Sequence, residues 1–225
     1  MRPCAWPLTA PGTERKTAMD HLNTLTARYP VLEPLKDTVQ AVFEIMKASY
    51  EAGGKVLICG NGGSAADAEH IVGELMKDFC LPRPVPAEFL EKLGRFSDNE
   101  ALKKGLHGAL PAISLTSHTA LMTALMNDGD PSLVFAQQVY GYGRAGDVLI
   151  ALSTSGNSAN VVRAAEVAKA LDMKVIAMTG AKGGKLKELA DCALCLPQTE
   201  TYMVQELTLP VYHALCLMLE TYFFG

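Results

Sequence analysis

The chain has 225 residues, of which 49% are hydrophobic and 20% are charged, and its formal net charge is −4. This length and composition predict one domain with a substantial buried core rather than two full domains. The net negative charge argues against nucleic acid as a direct ligand, since nucleic-acid-binding proteins usually carry a clustered basic surface. No apolar run reaches the roughly 18 residues that cross a bilayer, and the opening residues do not resemble a signal peptide. We therefore expect no membrane partner and a cytoplasmic location.

The beginning of the chain is rich in proline, which predicts a flexible tail over residues 1–18. A cleaner helical pattern begins at Met19, so the expected single domain covers residues 19–225. Helices are predicted over residues 18–28 and 32–52, with glycines closing the second helix.

Five short apolar runs follow, and most of them are succeeded by a helical pattern. The predicted strands are residues 55–60, 111–116, 147–154, 174–180 and 192–197. Near-continuous apolar strands separated by helices are typical of a parallel sheet that is covered on both faces. The predicted fold class is therefore α/β, a doubly wound five-stranded parallel sheet with N-terminal helices and a long C-terminal helix.

Residues 80–108 interrupt this alternation with prolines, charged residues and one short helical pattern. This composition predicts a surface insertion. Its position between the first strand's helix and the second strand would allow it to lie over a ligand site, but an exposed insertion without chemistry is the simpler interpretation.

The six cysteines are scattered along the chain, which favours reduced thiols over a disulfide framework. Cys192 and Cys195 lie in an apolar run that reads as a buried strand, where residues three apart point to opposite faces. We interpret this pair as core residues, because the second pair of ligands that a zinc site requires is missing.

Two predicted strands end in loops of small and hydroxyl residues, "CGNGGS" at 59–64 and "STSGNS" at 153–158. Ligands of open α/β sheets bind at the carboxyl ends of the strands, where glycine amides, hydroxyls and helix dipoles favour an anion. Ser64 could instead act only as a helix cap, with Asp67 three residues further on. The density of hydroxyls in the second loop favours phosphate. Neither loop is a Walker A or dinucleotide motif, so the predicted ligand is a small phosphate ester.

Two predicted helices carry polar groups that could move protons or bind a metal. His70 and Glu74 are four residues apart on one helix face, and Gln205 and His213 share a broad face of the last helix beside Glu206. Burying such groups unpaired would cost a few kcal/mol each, on the order of 1 to 3. The pattern is compatible with a structural hydrogen-bond network, with proton transfer between adjacent carbons of a sugar, or with Zn²⁺ binding.

Four segments together resemble the sugar isomerase (SIS) domain family, and within it the isomerases of heptose phosphates. They are "AGGKVLICGNGGSAADAEHIVGEL", "GDVLIALSTSGNSANVVRAAEVAKALDMKVIAMTG", "GGKLKELAD" and "VQELTLPVYH". The resemblance extends from about residue 32 to the C-terminus, apart from the insertion. It implies a flavodoxin-like fold, a homotetramer with sites between subunits, and the reversible conversion of sedoheptulose 7-phosphate to D-glycero-D-manno-heptose 7-phosphate.

The resemblance also implies roles for individual positions. Glu74 matches the catalytic base that moves a proton between C1 and C2, and His213 matches its acid partner. The phosphate-binding positions match Ser64, Ser153, Thr154, Ser155 and Ser158. The positions that line the substrate match Asn61, Gly62, Gly63, Asp128 and Gln205. The positions that hold zinc in some members match His70, Glu74, Gln205 and His213.

The chain departs from the family pattern at a few places. The insertion is longer, Asp78 stands where a basic residue is common, and Thr208 and Pro210 replace a histidine and an amide donor. These differences leave two alternatives open: an isomerase of another ketose phosphate, or a non-catalytic SIS adaptor or sensor of the kind that binds replication initiators. Because such adaptors tend to lose their acid–base residues, Glu74 and His213 favour the enzyme.

Overall fold

The computed structural model describes residues 16–225, and the fold begins with two helices before the sheet. These are α1 (Ala18–Arg28) and α2 (Lys36–Glu51), joined by a 3₁₀ helix over Pro30–Leu35. Thr17 caps α1 in a reciprocal capping box with Asp20. Thr17 and Ala18 therefore belong to the folded domain rather than to the predicted tail, and residues 1–15 of that tail lie outside the described residues.

The remaining elements alternate strands and helices as the apolar runs predicted. The strands are β1 (Val56–Cys59), β2 (Ala112–Ser114), β3 (Val148–Leu152), β4 (Lys174–Thr179) and β5 (Cys192–Cys195). The helices are α3 (Gly63–Met76), α4 (Ala87–Leu93), α5 (Glu100–Gly105), α6 (Thr119–Asp128), α7 (Val134–Tyr142), α8 (Ala159–Ala170), α9 (Gly184–Leu189) and α10 (Thr201–Phe224). All five predicted strands are confirmed, each shorter than its apolar run, and β2 covers only three of its six predicted residues.

All strands are parallel, and their order across the sheet is β2-β1-β3-β4-β5. This is the flavodoxin-like order, in which the winding direction reverses between β1 and β3. The predicted fold class is therefore confirmed. The reversal opens a crevice at the carboxyl ends of β1 and β3, which are the two strands that lead into the hydroxyl-rich loops.

The core has two layers because successive strand residues face opposite sides of the sheet. Val56 and Ile58 pack in one layer with α1, α2, α3 and α10, whereas Leu57 and Cys59 pack in the other with α7 and α8. Both faces of the sheet are thus covered, which explains why the strands are apolar at nearly every position.

Helix α10 is the central helix of the first layer. It is long and apolar enough to cross a membrane by length and composition, which differs from the expectation that no apolar run reaches this length. In the fold, 56% of its apolar window is buried, and the helix contacts α1, α2 and α3. Pro210 lies inside the helix without ending it.

Cys192 and Cys195 are half-buried, so the prediction that they are fully buried core residues is wrong. The reason is that β5 lies at the edge of the sheet. Cys192 packs against the first layer, and Cys195 Sγ lies 3.6 Å from Thr179 Oγ1 on the other side. The five cysteines within residues 16–225 are free thiols.

The insertion carries two short helices, α4 and α5, rather than the one predicted. Neither has a buried residue. Its two ends are joined by an antiparallel bridge between Pro84 and His107 and by a hydrogen bond from Gly108 N to Arg83 O of 2.6 Å. The insertion therefore closes on itself and leaves the sheet order unchanged.

Candidate active site

The first hydroxyl-rich loop turns tightly from β1 into α3. Gly62 is the residue before the helix and has a φ of 57°, which glycine adopts without strain. Ser64 is buried within the first turn, so the alternative in which it serves as the helix cap is wrong. At Gly63, an added Cβ would lie 2.5 Å from Gln205 Nε2, which shows that the Gln205 amide of α10 lies directly on this loop.

The second loop joins β3 to α8, and its end residues contact each other. Ser153 Oγ and Ser158 Oγ lie 2.9 Å apart and share a hydrogen bond. Between them, Thr154 is half-buried and Ser155 is exposed, with Ser155 Oγ accepting a hydrogen bond from Asn157 N. The loop therefore presents several hydroxyls around one short turn at the helix N-terminus, an arrangement that suits an anion.

The segment 180–186 packs against the second loop and donates hydrogen bonds to it. Leu186 N donates to Gly156 O at 3.1 Å, and Lys185 N donates to Asn157 Oδ1 at 3.1 Å. Gly156 has a φ of 67°, and a Cβ there would lie 1.9 Å from Gly183 O. The glycines of "STSGNS" and "GGKLKELAD" are thus explained by this close approach of two backbones.

A reciprocal amide pair connects the two loops. Asn61 Nδ2 donates to Asn160 Oδ1, and Asn160 Nδ2 donates to Asn61 Oδ1, both at 2.9 Å. The family resemblance implies that Asn61 lines the substrate site, whereas no feature of the sequence assigned a role to Asn160. A lone asparagine after the hydroxyl motif carries no signal of its own, because its partner lies 99 residues away.

Three of the predicted acid–base residues lie together where α3 crosses α10. His70 Nε2 lies 3.2 Å from Glu74 Oε1 and 3.4 Å from His213 Nε2. The Glu74 side chain is 14% exposed, and its Oε2 is buried without a hydrogen-bond partner, 3.7 Å from Lys77 Nζ. The structure therefore brings Glu74 and His213 close together within a single chain, with His70 between them.

The surroundings favour a neutral His213. Burial lowers the pKa of His213 below its ordinary value, and the nearby His70 lowers it further. The ring of Phe79 lies 5.5 Å away and covers one side of His213. A neutral imidazole beside a carboxylate with a free oxygen is a suitable acid–base pair near neutral pH.

The four predicted metal ligands do not converge fully. Within the described range 16–225, no three His, Cys, Asp or Glu side chains form a ready metal-binding group, and the Gln205 amide rests on Gly63. The spacings of His70 to Glu74 and to His213, 3.2 and 3.4 Å, nevertheless match the edge of a tetrahedral zinc site. That edge is about 3.4 Å when the bonds are about 2.1 Å. The donor types and these two spacings fit zinc.

Asp128 is not brought to these residues within the chain. It lies exposed at the end of α6, where its carboxylate accepts a hydrogen bond from Asn127 Nδ2.

Arg83 is a further residue that the sequence analysis missed. Its side chain is fully buried, and it donates to the carbonyl oxygens of Glu74 and Leu75 at the end of α3. Arg83 Nε also pairs with Glu220 of α10 at 2.8 Å. The Glu220 carboxylate accepts hydrogen bonds from three successive backbone amides at the start of the insertion, at residues 79, 80 and 81. This cluster anchors both the insertion and the part of α3 that carries Glu74.

The fold and the loops define a doubly wound α/β protein whose polar groups gather at the switch between β1 and β3. The SIS domain model matches residues 22–103 and 106–180. The phosphoheptose isomerase of Rhodospirillum rubrum is 41% identical over 189 residues, covering 83% of this chain and 88% of the relative. The phosphoheptose isomerase of Helicobacter pylori is 40% identical over 198 residues, covering 85% and 91%. This chain belongs to the SIS domain family.

Solved structures agree with this assignment. The phosphoheptose isomerase GmhA from Neisseria gonorrhoeae is 34% identical with a TM-score of 0.70, covering 90% of this chain and 96% of that chain. A phosphoheptose isomerase from Francisella tularensis is 32% identical with a TM-score of 0.71, covering 91% and 98%.

Proposed function

We propose that the protein is a cytoplasmic aldose–ketose isomerase that interconverts sedoheptulose 7-phosphate and D-glycero-D-manno-heptose 7-phosphate. The proposal rests on one observation: Glu74 and His213 both lie close to His70. His70 and Glu74 are on α3, the helix that begins at the first hydroxyl-rich loop. Glu74 lies ten positions after Ser64 on α3, about 15 Å at the helical rise per residue. A seven-carbon chain with phosphate at one end and a carbonyl at the other suits such a separation. The name shared by the relatives, phosphoheptose isomerase, supports a heptose phosphate as the substrate.

The chemical step is an enediol proton transfer. Glu74 removes the proton from C1 of the ketose and returns it to C2. Its Oε2 makes no hydrogen bond but is buried, so the carboxylate has to turn toward the substrate for this step. His213, held neutral by burial, exchanges the proton on the carbonyl oxygen. Each of these groups supplies a rate factor on the order of 10² to 10⁴.

The serine loops bind the phosphate and position the reacting carbons. The Ser153 and Ser158 hydroxyls lie within hydrogen-bond distance of each other. In this proposal, Ser64 faces them across the crevice between β1 and β3. Binding energy from this remote group is then used to orient C1 and C2 beside Glu74.

Zinc is a separate part of the proposal. His70, Glu74, Gln205 and His213 would hold it, with Gln205 coming from the part of α10 that lies against Gly63. When bound, the ion would polarise the substrate carbonyl.

We also propose a homotetramer with sites between subunits. Helix α6 supports this, because it is an apolar helix without a buried residue, and Leu121 and Met126 are 39% and 45% exposed. Asp128 at the end of α6 would then line the sugar site of a neighbouring subunit. Light scattering after size-exclusion chromatography tests the assembly, and a monomer at micromolar concentration would contradict it.

The test of activity is incubation with sedoheptulose 7-phosphate and with a panel of other ketose phosphates, followed by the same assay on Glu74→Gln and His213→Ala. We expect turnover of sedoheptulose 7-phosphate that both substitutions abolish. Turnover that survives both would contradict the assignment of the catalytic pair. No turnover of any sugar would favour the non-catalytic adaptor.

A further inference from the structure

Tyr212 links α10 to α3 next to the proposed catalytic pair. Its side chain is buried, with the whole residue 1% exposed, and its ring meets the His70 ring edge-on with centroids 5.4 Å apart. The Tyr212 hydroxyl oxygen lies 2.9 Å from His70 Nδ1 and 3.3 Å from Asp67 Oδ1. Asp67 and His70 are three residues apart on α3 and thus share a face, so one hydroxyl reaches both.

The direction of these hydrogen bonds follows from counting protons. A tyrosine hydroxyl has a single proton to donate, and an ionised carboxylate only accepts. Both contacts are satisfied when Tyr212 donates to Asp67 and His70 Nδ1–H donates to the Tyr212 oxygen. In the reverse arrangement, the Asp67 oxygen would face the lone pairs of the tyrosine oxygen with no proton between them, a part-buried contact without a hydrogen bond.

We propose that Asp67 and Tyr212 form a hydrogen-bonded chain that keeps a proton on Nδ1 of His70. The neutral ring then has a bare Nε2, because the two ring nitrogens share one proton. The 3.2 Å contact between this nitrogen and Glu74 Oε1 therefore has no proton of its own. Nε2 is the atom that lies 3.2 Å from Glu74 Oε1 and 3.4 Å from His213 Nε2. Nε2 of His70 is thus left as an acceptor, and its contact with Glu74 is completed when a cation or an added proton binds there.

Asp67 and Tyr212 are positioning residues in this scheme, since they act through His70 and do not touch the reacting carbons. Fixing the second nitrogen of a functional histidine by a carboxylate-backed hydrogen bond sets both its tautomer and its ring orientation. The catalytic consequence rests on the proposed function, whereas the tautomer itself does not.

The direct test is long-range ¹H–¹⁵N correlation spectroscopy of histidine rings in the metal-free protein, at a pH where the rings are neutral. The His70 signals are assigned by their loss in His70→Gln. We expect a protonated Nδ1 and an unprotonated Nε2 in the wild-type protein. A wild-type His70 with its proton on Nε2 would overturn the proposal, whether or not any variant folds.

The variant test uses two tyrosines of the same helix. Tyr212→Phe keeps the ring but removes the hydroxyl, and we expect His70 to become a mixture of tautomers. Tyr222→Phe is the matched control, because its hydroxyl bonds to Glu51 away from these residues. An unchanged His70 spectrum in Tyr212→Phe would contradict the chain.

The kinetic readout separates positioning from binding. We expect Tyr212→Phe to lower kcat for sedoheptulose 7-phosphate by about 10- to 100-fold with little change in KM, since the phosphate loops are untouched. An unchanged kcat in an active enzyme would contradict the catalytic part. If wild-type His70 shows the expected tautomer but no form of the protein turns over the sugar, the hydrogen-bonded chain stands and the proposed function fails.

Discussion

The substitution Arg83→Met tests whether the buried ion pair positions the end of α3. The side chains of Arg83 and Glu220 are 0% and 1% exposed, so removing the guanidinium leaves the Glu220 carboxylate buried without its counterion. The carbonyl oxygens of Glu74 and Leu75 lose a donor in the same step.

The expected loss of stability is large. Breaking one partner out of a buried ion pair costs about 3 to 5 kcal/mol. Three backbone amides continue to donate to Glu220, which favours the lower end of this range. In the double variant Arg83→Met with Glu220→Gln, no charge remains buried and an acceptor is kept, so we expect it to be more stable than the single variant.

Urea denaturation followed by circular dichroism measures the free energy of unfolding of the three proteins. Initial rates are then compared at a temperature where each is folded, and we expect kcat to fall in both variants while KM changes little, because Glu74 loses its backbone anchor. A single variant within about 0.5 kcal/mol of the wild type, the range of ordinary surface changes, would refute the reasoning. A folded double variant with unchanged kcat would refute the positioning of Glu74.

Three further predictions concern other parts of the fold. Gly156→Ala should raise KM strongly in steady-state kinetics, because a Cβ there would lie 1.9 Å from a backbone oxygen. Gly53→Ala is the control, since Gly53 also has a positive φ but no neighbouring atoms. It should lower the free energy of unfolding in urea by about 1 kcal/mol without affecting KM. Asn160→Ala should raise KM by releasing Asn61, whereas an unchanged KM would mean that the amide pair does not hold the loops. Burial lowers the pKa of His21 below its ordinary 6.5, so the unfolded chain binds the proton more readily and the free energy of unfolding should decrease as the pH falls below about 6.5. His21→Gln should lose this part of the pH dependence in urea titrations.

The sequence predicted the sheet well because its signal is local. Strands that are covered on both faces are apolar at nearly every position, and the hydroxyl-rich loops follow two of them directly. The strand order then brought those loops to one crevice, as the general rule for open α/β sheets requires. The insertion was also recognisable, since its composition interrupts the alternation.

The residues that sequence reasoning missed act through distant partners. Arg83 pairs with a residue 137 positions away, Asn160 with one 99 positions away, and Tyr212 with His70 at a separation of 142. Tyr212 also lies on the buried side of an apolar helix, where an aromatic residue reads as ordinary core. The half-burial of Cys192 and Cys195 depends on β5 being an edge strand, which follows from the sheet order rather than from the apolar run.

The most direct measurement of the central claim is the incorporation of solvent deuterium into the product in D₂O. If Glu74 carries the proton between C1 and C2, repeated turnover of sedoheptulose 7-phosphate should place deuterium at C2 of the aldose, and Glu74→Gln should show neither turnover nor exchange. Turnover by Glu74→Gln, or exchange at C1 or C2 that continues in Glu74→Gln, would contradict proton transfer by this carboxylate.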